Sequence, residues 1–140
     1  MGDVFTRASV STELAHRLIA AAEAKATEIG TPMVIAVCDE SGVLKALSRM
    51  DGAQLMSVQV AQDKAYTAVG FSMPSGGWYD FIKDDGPLAE GAVGAIERLV
   101  IFGGGFPITV DGQIVGAIGV SGGHYSQDSE VAQAGLAVLG

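Results

Sequence analysis

Residues 99–123, LVIFGGGFPITVDGQIVGAIGVSGG, decide how the rest of the chain must fold. They read as strand, glycine loop, strand, tight turn, strand and second glycine loop. Residues 106–110 and 113–120 flank Asp111-Gly112, a pair suited to a type I′ turn because both central residues take positive φ there. In the second strand of this hairpin Ile114, Ile118 and Val120 point to one face, and Val115 and Ala117 to the other. A strand that is apolar on both faces is buried on both, hence central in its sheet. The hairpin is therefore expected in the middle of the fold. The glycine loops at its ends, 103–105 and 119–123, are where function is expected.

The 140 residues suit one domain, 1–140, with a full core. Sixteen acidic residues against eight basic ones leave a net charge of -8, which argues against nucleic acid or an anionic membrane surface as partner. Gly2-Asp3-Val4-Phe5 lacks the basic start and long apolar run of a secretion signal. No window reaches the roughly 18 apolar residues of a membrane helix. Cys38 is the one cysteine, set in an apolar strand, so no internal disulfide can form; a cytoplasmic location is expected. Both sheet faces are apolar and the chain is rich in glycine and alanine. Such a small protein is expected to complete its burial as a homo-oligomer.

Ser9 or Ser11 can cap a first helix that runs to about Ile29. Leu14, Leu18, Ala22, Ala26 and Ile29 fall at helical spacing, and Gly30 with Pro32 ends the helix. His16 points away from that stripe, as a solvated side chain or as a ligand at a subunit contact. Residues 33–39 form a strand apolar on both faces. Its hairpin partner, 43–50, alternates and carries Lys45 and Arg49, the mark of an edge strand protected by charge. A second helix, about 53–69, spaces Met56, Val60 and Lys64 by four. Lys64 therefore either snorkels to water along its methylenes or reaches a pocket to meet an anionic ligand or Asp51. The segment 72–94 is irregular and holds Trp78, Tyr79 and Phe81, which either line a pocket or pack at a contact. Residues 99–102 read as a further strand, and 126–139 as a last helix with acidic residues in its first turn. Hairpins dominate, so an α/β (α+β) fold is expected, with a mainly antiparallel five-stranded sheet flanked by helices.

Several chemistries are set aside. There is no paired-cysteine or paired-histidine zinc spacing. The run Gly103-Gly104-Gly105 joins strand to strand, so it is not a dinucleotide fingerprint. Residues 119–122 lack the spacing of a nucleophile elbow. What remains is the end of the last strand. There Ser121, Gly122 and Gly123 lead to His124 and Tyr125 at a helix N-terminus, where free amides and the helix dipole favour an anion. His124 is the one imidazole beside them, and geometry decides whether it acts as ligand, base or neither.

The following pieces together resemble a known family: IAVCD at 35–39 with Gly42, SRMDGA at 48–53, KAYTA at 64–68, FGGGFPI at 102–108, and DGQIVGAIGVSG at 111–122 with Gln127-Asp128 behind. The chain is similar, over roughly residues 11–139, to the GlcG/HbpS-type haem-binding (haem-degrading) domains, which also occur at the C-terminus of PduO-type adenosyltransferases. The resemblance implies a profilin-like sandwich that assembles into homo-oligomers, and a cytoplasmic haem- or tetrapyrrole-binding protein. Haem would need an axial ligand, for which His124, His16 and Tyr125 are the candidates, and an apolar slot from Trp78, Tyr79 and Phe81. A second reading is a small cofactor-free catabolic enzyme acting on a carboxylated molecule by proton transfer, hydration or hydrolysis. It would hold the carboxylate on the 119–123 loop, with Ser121, Gly122 and Gly123, and on the N-terminus of the last helix, with help from Arg49 or Lys64. His124 or Asp128 would be its acid or base. Gly104 and Gly105 of the other glycine loop are further ligand-binding candidates.

Overall fold

The Asp111-Gly112 turn forms with φ of 51° and 78°, and it joins two strands at one side of a four-stranded antiparallel sheet. The computed structural model describes residues 2–140. In chain order its elements are α1 (Thr12–Ile29), β1 (Val34–Asp39), β2 (Leu44–Arg49), α2 (Leu55–Gly70), α3 (Trp78–Ile82), α4 (Gly86–Ala95), β3 (Gly105–Val110), β4 (Gln113–Ser121) and α5 (Tyr125–Leu136). A 3-10 turn (Ser75–Gly77) precedes α3, and another (Ala137–Leu139) closes the chain. The sheet order is β2-β1-β4-β3, so β1 and β4 are interior and the charged β2 is an edge, as their patterns require. Ser11 Oγ accepts the Leu14 amide and caps α1.

The expected strand at 99–102 is absent, and the sheet has four strands rather than five. The backbone of this segment is satisfied by side chains instead of a ladder. The Val100 amide donates to Thr67 Oγ1, whose hydroxyl donates to the Arg98 carbonyl, and Ser75 Oγ donates to the Phe102 carbonyl. Leu99 packs not on the sheet but in a small cluster with Trp78, Ile82 and Ala92.

The two faces of the sheet are covered differently. On one, α1 and α5 pack Leu18, Ile19 and Val131 against Ile35, Val37, Ile118 and Val120. Each such buried side chain contributes roughly 1.5–3 kcal/mol relative to exposure. Val115, expected on the opposite face to Ile118, joins this cluster. The pairing of β3 with β4 slips between Ile108 and Thr109, and the extra residue reverses the alternation beyond it. On the other face α2 lies on Val34, Ala36, Cys38 and Ala117 with Ala61, Ala65 and Ala68. The expected stripe Met56–Val60–Lys64 is not the packing face: Met56 is exposed, and Ser57, Ala61, Lys64, Ala65 and Ala68 are buried. Gly119 explains why. A Cβ there would collide with the Ala61 carbonyl, so the helix backbone rides directly on the strand and only small side chains fit between them.

Candidate functional site

Lys64 and Asp128 form the polar centre of the molecule. Lys64 is fully buried and Asp128 nearly so. The Lys64 ammonium donates to Asp128 Oδ2 at 2.8 Å and to the Val120 carbonyl at 2.9 Å. It lies 5.1 Å from the centroid of the Phe102 ring, a third, cation–π contact. Burial lowers the pKa of the ammonium from the usual lysine value, and Asp128 opposes that shift. The other oxygen of Asp128 accepts the Gly123 amide at 2.9 Å. Lys64 therefore neither snorkels to water nor meets Asp51; the carboxylate it finds is 64 residues away on α5.

The glycine loop is built around this ammonium. Gly104 has φ of 127°, and a Cβ there would stand 2.7 Å from Lys64 Nζ and 2.5 Å from the Val120 oxygen. Gly105 lies against the Lys64 backbone, and its amide donates to Ser75 Oγ at 2.9 Å.

The anion expected at the start of α5 is supplied by the protein itself. His124 is the cap, with Nδ1 accepting the Ser126 amide at 3.2 Å and its own amide donating to Gln127 Oε1 at 3.2 Å. The amides of Gln127 and Asp128 donate to the His124 carbonyl. The Gly123 amide is taken by Asp128. These donors are paired internally, and the helix dipole meets the Asp128 carboxylate.

Beside this centre lies a cleft of about 630 Å³ lined by Gly76, Tyr79, Asp80, Ile101, Phe102, Gly103, Tyr125, Ser126 and Ser129. Phe102 and Tyr125 both line it and touch each other, with ring centroids 6.4 Å apart, and the His124 ring lies 4.1 Å from that of Tyr125. Among the described residues no lysine or arginine lines it; Asp80 is the one charged wall residue among them and pairs with Lys83 at 3.1 Å.

Of the residues singled out in the sequence, the structure brings Lys64, Asp128, Gly104, Gly105 and Gly123 together in the buried centre, and Tyr79 and Tyr125 into the cleft. It does not bring the others there. Trp78 is buried in the cluster under α4, edge-on to Phe71 and Phe81, with its indole N–H unpartnered. Ser121 Oγ donates to Ser57 Oγ, and Gly122 packs on Pro32 and Met33. Arg49 donates twice to the Ala53 carbonyl, closing the turn that holds Asp51. His16 is exposed on α1, near the far end of α5, because Leu18 lies beside Gly135. Sequence reasoning misses Phe102, Asp80 and Ser129 as wall residues. The only signal for them is the glycine run that follows Phe102. No cluster of three or more histidine, cysteine, aspartate or glutamate side chains able to hold a metal ion occurs among the described residues.

Fold and site thus define a small α+β protein with an open, aromatic-walled cleft set beside a buried ion pair. Residues 10–137 match the family described as haem degrading protein HbpS-like. The chain belongs to that family. It is 36% identical over 129 residues to a 15.0 kDa Citrobacter freundii protein from the dhaT-dhaS intergenic region, itself uncharacterized, covering 92% of this chain and 91% of that one. The crystal structure of Klebsiella pneumoniae protein ORFY superposes with a TM-score of 0.93 at 31% identity, covering 99% and 96% of the two chains. That of PduOC in complex with heme superposes with a TM-score of 0.86 at 32% identity, covering 92% and 94%. No helix among the described residues is long and apolar enough to cross a membrane.

Proposed function

We propose that this protein binds a tetrapyrrole, haem foremost, in the cleft between α3, residues 101–103 and the first turn of α5. The observation that carries the reading is the cleft itself. Its volume of about 630 Å³ falls within the roughly 300–1,000 Å³ of small-molecule and cofactor sites, and its walls include Tyr79, Ile101, Phe102 and Tyr125. A flat aromatic macrocycle suits such walls, and the kinship with a family described as haem degrading and with a heme-bound structure supports the choice.

The residues present fit the group. The phenol oxygens of Tyr79 and Tyr125 are the iron-competent donors on the walls, and Tyr125 is our candidate ligand. His124 sits beside it but is engaged as the cap of α5: its Nδ1 accepts an amide N–H, which leaves the proton of the neutral ring on Nε2. To offer Nε2 to iron it must move that proton to Nδ1, next to Ser126 Oγ at 2.8 Å, and release the cap. Bound haem would bring the iron and its redox chemistry; the chain's own part would be to hold the macrocycle against Tyr79, Phe102 and Tyr125. Among the described residues the walls offer no cation that would pair with the carboxylates of a haem. Exposed Phe71, Phe81 and Val93 support self-association of the chain, and the unpaired buried Cys38 supports a reducing, cytoplasmic setting.

The test is a haem titration followed by absorbance. Wild type is expected to give a saturable Soret band. Tyr125→Phe should displace that band and weaken binding at least tenfold, while His124→Ala binds within a few-fold of wild type. A linear, non-saturating response in wild type would overturn the reading. Loss of the band in His16→Ala, with Tyr125→Phe unchanged, would move the site to α1.

A further inference from the structure

Both principal walls of the cleft hang on one ammonium group. Phe102 and Gly103 come from the loop before β3, and Tyr125, Ser126 and Ser129 come from α5. The loop touches Lys64 through the Phe102 ring and through Gly104, which has room for no side chain against Nζ. Helix α5 touches Lys64 through Asp128, three residues after Tyr125, and Asp128 in turn holds the Gly123 amide at the entry to the helix. The Val120 carbonyl, held by the same ammonium, ends the interior strand between them, and the Val120 amide donates to the Gly104 carbonyl at 2.9 Å. No other side chain reaches all three elements by hydrogen bond or cation–π contact among the described residues.

From this we infer that Lys64, with Asp128 as its counter-ion, is the positioning residue of the cleft: it holds the loop that carries Phe102 against the helix that carries Tyr125 and thereby shapes the wall on which the ligand rests. Lys64 is fully buried and is not among the wall residues of the cleft, so it acts through Phe102 and Asp128 rather than on the ligand. This inference rests on the tetrapyrrole reading for its ligand but not for its geometry. A purely structural ion pair predicts that replacing both partners by apolar groups is harmless, as is often found for buried pairs. A positioning pair predicts that the fold survives and the wall does not.

The decisive variants are Lys64→Met/Asp128→Leu, which leaves no lone buried charge, and Asp128→Asn, which keeps an oxygen for the Gly123 amide. Each is read in two ways. One is the nuclear Overhauser signal between the Phe102 and Tyr125 rings, with the sheet amide spectrum as a check on the fold. The other is haem affinity with the position of the Soret band. The double variant should keep the sheet spectrum, show no ring–ring signal, bind haem at least tenfold more weakly and displace the band. Asp128→Asn should weaken binding about threefold or more, with a reduced ring–ring signal. A ring–ring signal of wild-type strength in Asp128→Asn overturns the inference, whether or not the double variant folds. Rings that separate in both variants of a protein whose wild type takes up no haem would uphold the positioning role and reject the ligand.

Discussion

The two faces of the sheet solve the same burial problem with different materials. Under α1 and α5 the core is led by leucine, isoleucine and valine side chains. Under α2 it is mostly alanine, with Val34 and Cys38, and the helix backbone sits on the strand at Gly119. The first arrangement contributes hydrophobic free energy in proportion to its area. The second contributes less per residue but brings a helix close enough for the Lys64 side chain to reach through to α5 and the 101–105 loop. The aliphatic face is thus the main source of stability, and the small-residue face is what lets Lys64 reach the elements that wall the cleft.

That contrast can be broken by damaging each face in turn. Leu18→Ala on the aliphatic face should lose about 3 kcal/mol, within the 2–5 kcal/mol seen for buried leucines, measured by urea unfolding. Its haem affinity should stay within twofold of wild type. Gly119→Ala should lose about 2–3 kcal/mol by overpacking against the Ala61 backbone, and unlike Leu18→Ala it should also weaken haem binding severalfold. Equal effects of the two on binding would erase the distinction. Ser75→Ala should lose about 1–2 kcal/mol, because it orphans the Gly105 amide that the buried hydroxyl satisfies. A pH-dependent effect concerns Cys38, whose thiol is pushed up by burial from 9.0 to about 11. The folded state disfavours the thiolate, so this group's contribution is fully present below pH 9 and fades as pH rises towards 11. Wild type should therefore lose stability faster than Cys38→Ala over that interval in unfolding curves at stepped pH. Its thiol should react with a disulfide reagent only on unfolding.

The sequence is legible where local rules decide. Asp111-Gly112, the Ser11 cap, the interior character of β1 and the charged edge β2 all follow from turn chemistry and alternation. Residues 99–102 carry the same apolar run as a strand, and only the hydroxyls of Thr67 and Ser75, 25 or more residues away, divert their backbone from the sheet. Val115 changes face because of a bulge that no alternation pattern contains. For Lys64, helical spacing places the ammonium near an apolar stripe but cannot name its partner, since Asp128 reaches it across the whole fold. The cleft is the least legible of all. Its walls come from α3, an irregular segment and α5, so Phe102, Asp80 and Ser129 become neighbours only once the sheet has assembled.

The central claim, a tetrapyrrole in the aromatic cleft, is tested most directly by a crystal structure of the protein grown or soaked with haem. The account predicts density for a planar macrocycle against Tyr79, Phe102 and Tyr125, with the Lys64–Asp128 pair intact behind Phe102. A macrocycle seated elsewhere, for instance against His16 on α1, with the cleft free of it, would contradict the claim.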